Sequence, residues 1–137
     1  MIPIPVPQAE LLDDGGCALA RRLKTDLRVV QKVIMAQREL PFRLQITSAW
    51  RSEEHQRRLK EQGYPAADPS VSNHCSCPST ALDLTPVGVT ATDYVKALMG
   101  AAFRRAGLRW GGGSPVDPET GIPSDWVHVD LGPRASR

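Results

Sequence analysis

Residues 126–131 alternate strictly between two kinds of side chain. Successive side chains of an extended strand point to opposite faces. Trp126, His128 and Asp130 therefore share one face, and Val127, Val129 and Leu131 share the other. The valines and Leu131 suit a core, which turns His128 away from that core towards a cleft. Residues 81–84 repeat the arrangement, with Leu82 and Leu84 as the core pair and Asp83 facing the opposite way. Two such strands, lying side by side, demand a sheet with one apolar face covered and a polar face left open. His74 lies in the loop that feeds the strand at 81–84.

The remaining segments supply the cover. Leu19, Leu23, Leu27, Val30 and Ile34 step by three or four, which predicts one amphipathic helix over residues 18–39, ended by Pro41. Residues 43–48 alternate and read as a strand, with Leu44 and Ile46 on one side. Ser52 is placed to cap a helix whose first turn holds Glu53 and Glu54, with Gly63 as its stop. The spacing of Thr90 and Asp93 resembles a capping box. It predicts a further helix with Val95, Leu98, Ala102 and Phe103 inward and Gly107 as its stop, followed by a short strand at 108–110. Residues 64–80 and 111–124 read as long loops, of the kind that is usually functional or mobile in a compact domain. The expected class is α+β, a small antiparallel sheet with helices packed on it. One domain is expected over residues 18–132, preceded by an extended proline-rich arm at 1–17 and followed by a basic tail at 133–137.

A chain of 137 residues can bury a real core as one domain. Its net charge of +2 is a weak bias towards anionic surfaces. The basic residues are scattered along helical stretches, so no nucleic-acid partner is expected. No apolar run is long enough to span a membrane, and a monomer is expected. The start, rich in proline, lacks the basic and apolar regions of a secretory signal, so synthesis in the cytoplasm is expected. Three cysteines leave one unpaired. A Cys75–Cys77 bridge would be strained, a pairing of Cys17 with either remains open, and reduced thiols are the default.

The chemistry gathers on His74, Asp83 and His128. Two imidazoles and a carboxylate suit a borderline cation such as zinc, and three protein ligands leave the open position of a catalytic site. Asp125, at the loop edge before the last strand, is placed to move protons there. Arg51, at the end of a strand, could hold a carboxylate or a developing oxyanion. Plainer readings stand beside these. Asp130 reads equally as a surface charge at a strand end, and Asp117 or Glu119 could serve as the base. His55 reads as solvated. Trp50, Trp110 and Trp126 are more often packing residues than substrate platforms. Cys75 and Cys77 beside His74 could bind a structural metal, although a single short cluster makes four ligands hard to assemble.

These residues resemble the D-alanyl-D-alanine carboxypeptidase and dipeptidase group of zinc peptidases, which includes phage L-alanyl-D-glutamate endolysins and shares its fold with the hedgehog amino-terminal domain. Ser72, His74, Ala81 and Asp83 match a pattern S-x-H-x-x-G-x-A-x-D, with two extra residues between His74 and Asp83 and Ser79 where the glycine stands. Asp125 and His128 match D/E-x-x-H; Ser48, Arg51, Ser52 and Gln56 match an upstream S-G-Y-R-S-like strand end. The resemblance spans residues 19 to 132. It implies that His74, Asp83 and His128 bind zinc in an open cleft and that Asp125 is the general base. Arg51, Ser72, Gln56 and Trp126 would contact the substrate, the peptidoglycan stem peptide. The implied activity is that of a carboxypeptidase or endopeptidase of the cell wall, phage-released or virion-associated. A non-catalytic zinc-binding module of the same fold is the alternative.

Overall fold

The computed structural model describes residues 3–7, 14–64, 66–69, 72–110, 119–121 and 123–132. Among the described residues, five strands form one antiparallel sheet: β1 (Ile4–Pro5), β2 (Arg43–Ser48), β3 (Ala81–Val87), β4 (Arg109–Trp110) and β5 (Val127–Asp130), in the order β1-β2-β3-β5-β4. The helices are α1 (Cys17–Leu23), α2 (Leu27–Arg38), α3 (Glu53–Glu61) and α4 (Asp93–Arg105). This is the α+β architecture expected from the sequence. Within the proline-rich arm, Ile4–Pro5 pairs with β2 and Val6 is buried, so these residues extend the sheet. The basic tail at 133–137, Asp117 and most of the 111–124 loop lie outside the described residues.

The strand parity holds. Leu44, Ile46, Leu82, Leu84, Val127 and Val129 are all buried and form a continuous core with Val29, Val30 and Val33 of α2 and Met99, Ala102 and Phe103 of α4. Apart from Ala102, each such side chain contributes about 1.5–3 kcal/mol on leaving water. Asp83, His128 and Asp130 occupy the alternate positions, on the opposite face of the sheet.

The helix expected over 18–39 is two helices. Lys24 adopts a left-handed conformation (φ 51°) and closes α1, and Asp26 caps α2 by accepting from the Arg28 N–H at 2.8 Å. The interruption has a tertiary cause. Ser79 donates its N–H to the Lys24 carbonyl, and its own carbonyl accepts from the Asp26 N–H, each at 2.8 Å. The backbone groups freed by the break are thus paired with the loop that carries His74.

Three smaller expectations are corrected. The cap of α4 is Thr92, whose hydroxyl accepts from the Val95 N–H at 3.1 Å, rather than Thr90. Within α4, Met99 rather than Leu98 enters the core. The strand that begins at Ala81 runs on to Val87, past Pro86. Pro86 is tolerated because β5 ends its pairing at Leu84. The N–H and C=O of Leu44, opposite Pro86, bond to Gln37 and Val6 instead of β3, so no ladder bond needs a proline N–H.

Candidate metal centre

β3 and β5 place Asp83 directly opposite His128, and β4 places Arg109 directly opposite Asp130. Side chains of directly opposed residues lie within reach of one another, so register alone gathers four polar side chains on the open face. His74 arrives from the loop before β3. Asn73 anchors that loop: its carbonyl accepts from the Ser76 and Ser79 hydroxyls and the Thr80 N–H, and its side-chain amide donates to the Gly132 carbonyl at 2.8 Å. The His74 carbonyl accepts from the Arg51 N–H. Cys77 and Pro78 are exposed. The long step from His74 to Asp83 is therefore taken up in an outward bow, and His74 itself is buried.

The three expected ligands converge. His74 Nε2 lies 3.2 Å from Asp83 Oδ1 and 3.2 Å from His128 Nδ1, and the last two are 3.0 Å apart. Tetrahedral zinc with donors 2.0–2.1 Å away separates those donors by about 3.3 Å, so the triangle fits such an ion. Ring orientation agrees. His74 Nδ1 donates to the Ala49 carbonyl, which can only accept, and this leaves Nε2 for the site. His128 Nε2 donates to Asp130 Oδ2 at 2.9 Å, which leaves Nδ1. Asp130 is held by Arg109 Nε and Nη2 at 2.8 and 2.9 Å and by the Gly132 N–H at 2.8 Å. Among the described residues, the group able to share one ion contains no cysteine.

The charges are strongly coupled. Burial alone would raise the Asp83 carboxyl, but the charge of His74, hydrogen bonds from His128 and His74, and Arg51 hold it well below the usual carboxylate range. Burial likewise opposes ionisation of Asp130, and hydrogen bonds from His128, Arg109 and the Gly132 N–H overcome it. Burial would lower His128, yet Asp130 and Asp83 raise it to about 9. Without metal, a proton on Nδ1 stands where a cation would otherwise sit.

Arg51 Nη2 donates to Asp83 Oδ2 at 2.7 Å, and Nη1 donates to Gln56 Oε1 at 3.1 Å. The Gln56 amide also donates to the Ala67 carbonyl, so both its ends are engaged behind Arg51. The Ser72 hydroxyl accepts from the His74 N–H. Ser72 lines a cavity of about 220 Å³ together with His74, Asp83, Arg109 and His128. That cavity adjoins a cleft of about 500 Å³ walled by Trp50, Arg51, His55, Tyr64 and Trp126, a size suited to a small ligand or peptide segment. Arg51, Asp83 and Trp126 line both spaces. Asp125 is exposed two residues before β5, and among the described residues its carboxylate makes no hydrogen bond or ion pair. The preceding carbonyl, of Ser124, accepts from the buried Lys96 of α4 at 3.1 Å, which ties down the approach to β5.

Asp130 is the residue that sequence reasoning undervalued. Its signal was parity: it stands two positions after His128 on the same face. Lys96 gave no signal of its tie to the β5 approach, because its partner there is the Ser124 carbonyl; its other neighbour, Asp93 at 3.9 Å, reads as an ordinary i,i+3 helix pair.

No protein-family model matches the chain, and no curated relative matches it. Among solved structures, the chain is similar in fold to the L-Ala D-Glu endopeptidase ChiX of Serratia marcescens, with a TM-score of 0.61 and 18% sequence identity over 88% of this chain and 89% of that chain.

Proposed function

We propose that this chain is a zinc-dependent peptidase that cleaves the stem peptide of bacterial peptidoglycan. The observation that carries the reading is the triangle of His74 Nε2, Asp83 Oδ1 and His128 Nδ1, with each ring's other nitrogen committed elsewhere. Three such donors beside a cleft suit a catalytic rather than a closed structural site. The fold of a structure named as an L-Ala D-Glu endopeptidase supports the substrate class. It favours the L-Ala–D-Glu bond over the D-Ala–D-Ala bond.

When bound, zinc would polarise the scissile carbonyl and acidify water at neutral pH. The rest is the work of the chain's own residues. Asp125 takes the proton of the attacking water and returns it to the leaving amine as the C–N bond breaks and the new C–O bond forms. Arg51, locked by Asp83 and Gln56, turns its remaining N–H groups to the substrate carbonyl or carboxylate. Ser72 and Trp126 border the bound peptide, and Gln56 acts through Arg51. The site of action is the cell wall, in the manner of a phage lysis or virion-associated enzyme, which the resemblance to endolysins supports.

The test is product analysis of defined muropeptides by mass spectrometry, with zinc and with chelator. A zinc-dependent cut between L-Ala and D-Glu is expected. Asp125→Ala should abolish the cut and still bind zinc. Zinc binding with no hydrolysis of any muropeptide would instead identify a non-catalytic zinc module of this fold.

A further inference from the structure

The pair Asp130 and Arg109 is an internal brace with no part in the proposed bond cleavage. Asp130 has only 3% of its side chain exposed, and it binds in three places: His128 in its own strand, Arg109 across on β4, and the Gly132 N–H in the turn. Such burial of a carboxylate is costly unless all its acceptor sites are filled. Here Oδ1 accepts from Arg109 Nε and the Gly132 N–H, and Oδ2 accepts from Arg109 Nη2 and His128 Nε2. A guanidinium bound side-on through two parallel N–H groups fixes the carboxylate plane. The plane in turn fixes the direction of the His128 Nε2–H, and so the direction of the Nδ1 lone pair.

We infer that Arg109 and Asp130 are positioning residues that set the metal affinity of His128, a role that rests on the zinc reading above. More than a third of the His128 side chain, 38%, is exposed. Packing alone therefore does not hold this ring, unlike His74, whose side chain is 4% exposed and pinned by the Ala49 carbonyl. The brace substitutes for packing at the ligand that lacks it. Outer carboxylates that accept from a ligating histidine commonly contribute about 10- to 100-fold in metal affinity.

The experiment measures zinc affinity of the full chain by competition with a chromophoric chelator, alongside melting of each metal-free variant. Asp130→Ala should weaken zinc binding by about 10- to 100-fold. Asp130→Asn should lose less, because its carbonyl oxygen still accepts from Nε2–H, and Arg109→Gln should fall on the same side. Nitrogen-15 spectra of the zinc-loaded wild type should show His128 protonated at Nε2. That readout does not depend on any variant folding, and a mere loss of stability would not move it. Equal zinc affinity in wild type and Asp130→Ala overturns the brace and leaves the zinc reading standing; a zinc-loaded His128 protonated at Nδ1 overturns the brace and removes His128 Nδ1 from the donor triangle. A wild type that takes up no zinc overturns both.

Discussion

Asp83 and His128 are direct cross-strand partners on β3 and β5, with Oδ1 and Nδ1 3.0 Å apart on the face turned away from the core. The same two strands bury Leu82, Leu84, Val127 and Val129 on the other face, so core packing and site assembly are set by one register. A slip by one residue would empty the core and scatter the site together.

Replacing Asp83 tests this coupling. Asp83 is the shared neighbour of His74, His128 and Arg51. Asp83→Ala leaves three cationic or polar groups without their acceptor in a largely buried setting. The metal-free fold should lose about 3 kcal/mol in urea unfolding, and zinc binding should fall beyond detection by chelator competition. A variant as stable as wild type would show that Asp83 is not the hub of this cluster.

The pH dependence should reverse with metal. His128 is raised to about 9 in the metal-free fold from an ordinary value of 6.5. A group raised by folding stabilises most below its unfolded value and loses that contribution as pH climbs through its folded value. Metal-free protein should therefore lose stability between pH 6.5 and about 9. Partial exposure of the ring limits the loss to about 1 kcal/mol. Zinc must displace the same proton, so its affinity rises over the same interval. Melting curves with chelator and with zinc should diverge as pH increases; parallel curves would refute the proton competition.

Cys75 and Cys77 should be dispensable for metal binding. Cys77 is exposed, and the Cys75 thiol faces the Ser52 carbonyl at 3.9 Å. Neither joins the group of converging donors. The double variant Cys75→Ser, Cys77→Ser should keep its fold by circular dichroism and its zinc content by elemental analysis. Loss of both would favour a structural thiolate site.

Alternation with period two made β2, β3 and β5 legible, because each strand has one wet and one dry face. Two of the three candidate ligands, Asp83 and His128, were legible for the same reason, whereas His74 lies in a loop and was found through its spacing to Asp83 and the small number of histidines. The break between α1 and α2 was not, since Leu23, Leu27 and Val30 continue the helical spacing through it and the cause, Ser79, lies far along the chain. The role of Asp130 was hidden likewise. A charged residue at a strand end looks solvated until register shows Arg109 opposite it. Arg51 read as a free donor for the same reason, because its partner Asp83 is distant in sequence.

Gly100 connects α4 to the site. It lies mid-helix, where alanine would ordinarily gain about 1 kcal/mol over glycine. Here a Cβ would intrude on the Trp110 ring, which packs against the core and also meets the Arg104 guanidinium at 4.8 Å from the centroid. Gly100→Ala must push the ring outward, at a cost of about 1–3 kcal/mol for overpacking, so the net effect is destabilising. Trp110 pairs with Val129 and its neighbour Arg109 pairs with Asp130, so the displacement reaches the brace behind His128. The variant should melt several degrees lower, show altered tryptophan fluorescence and bind zinc more weakly than wild type. An unchanged or higher melting temperature would mean that the ring does not lie against α4.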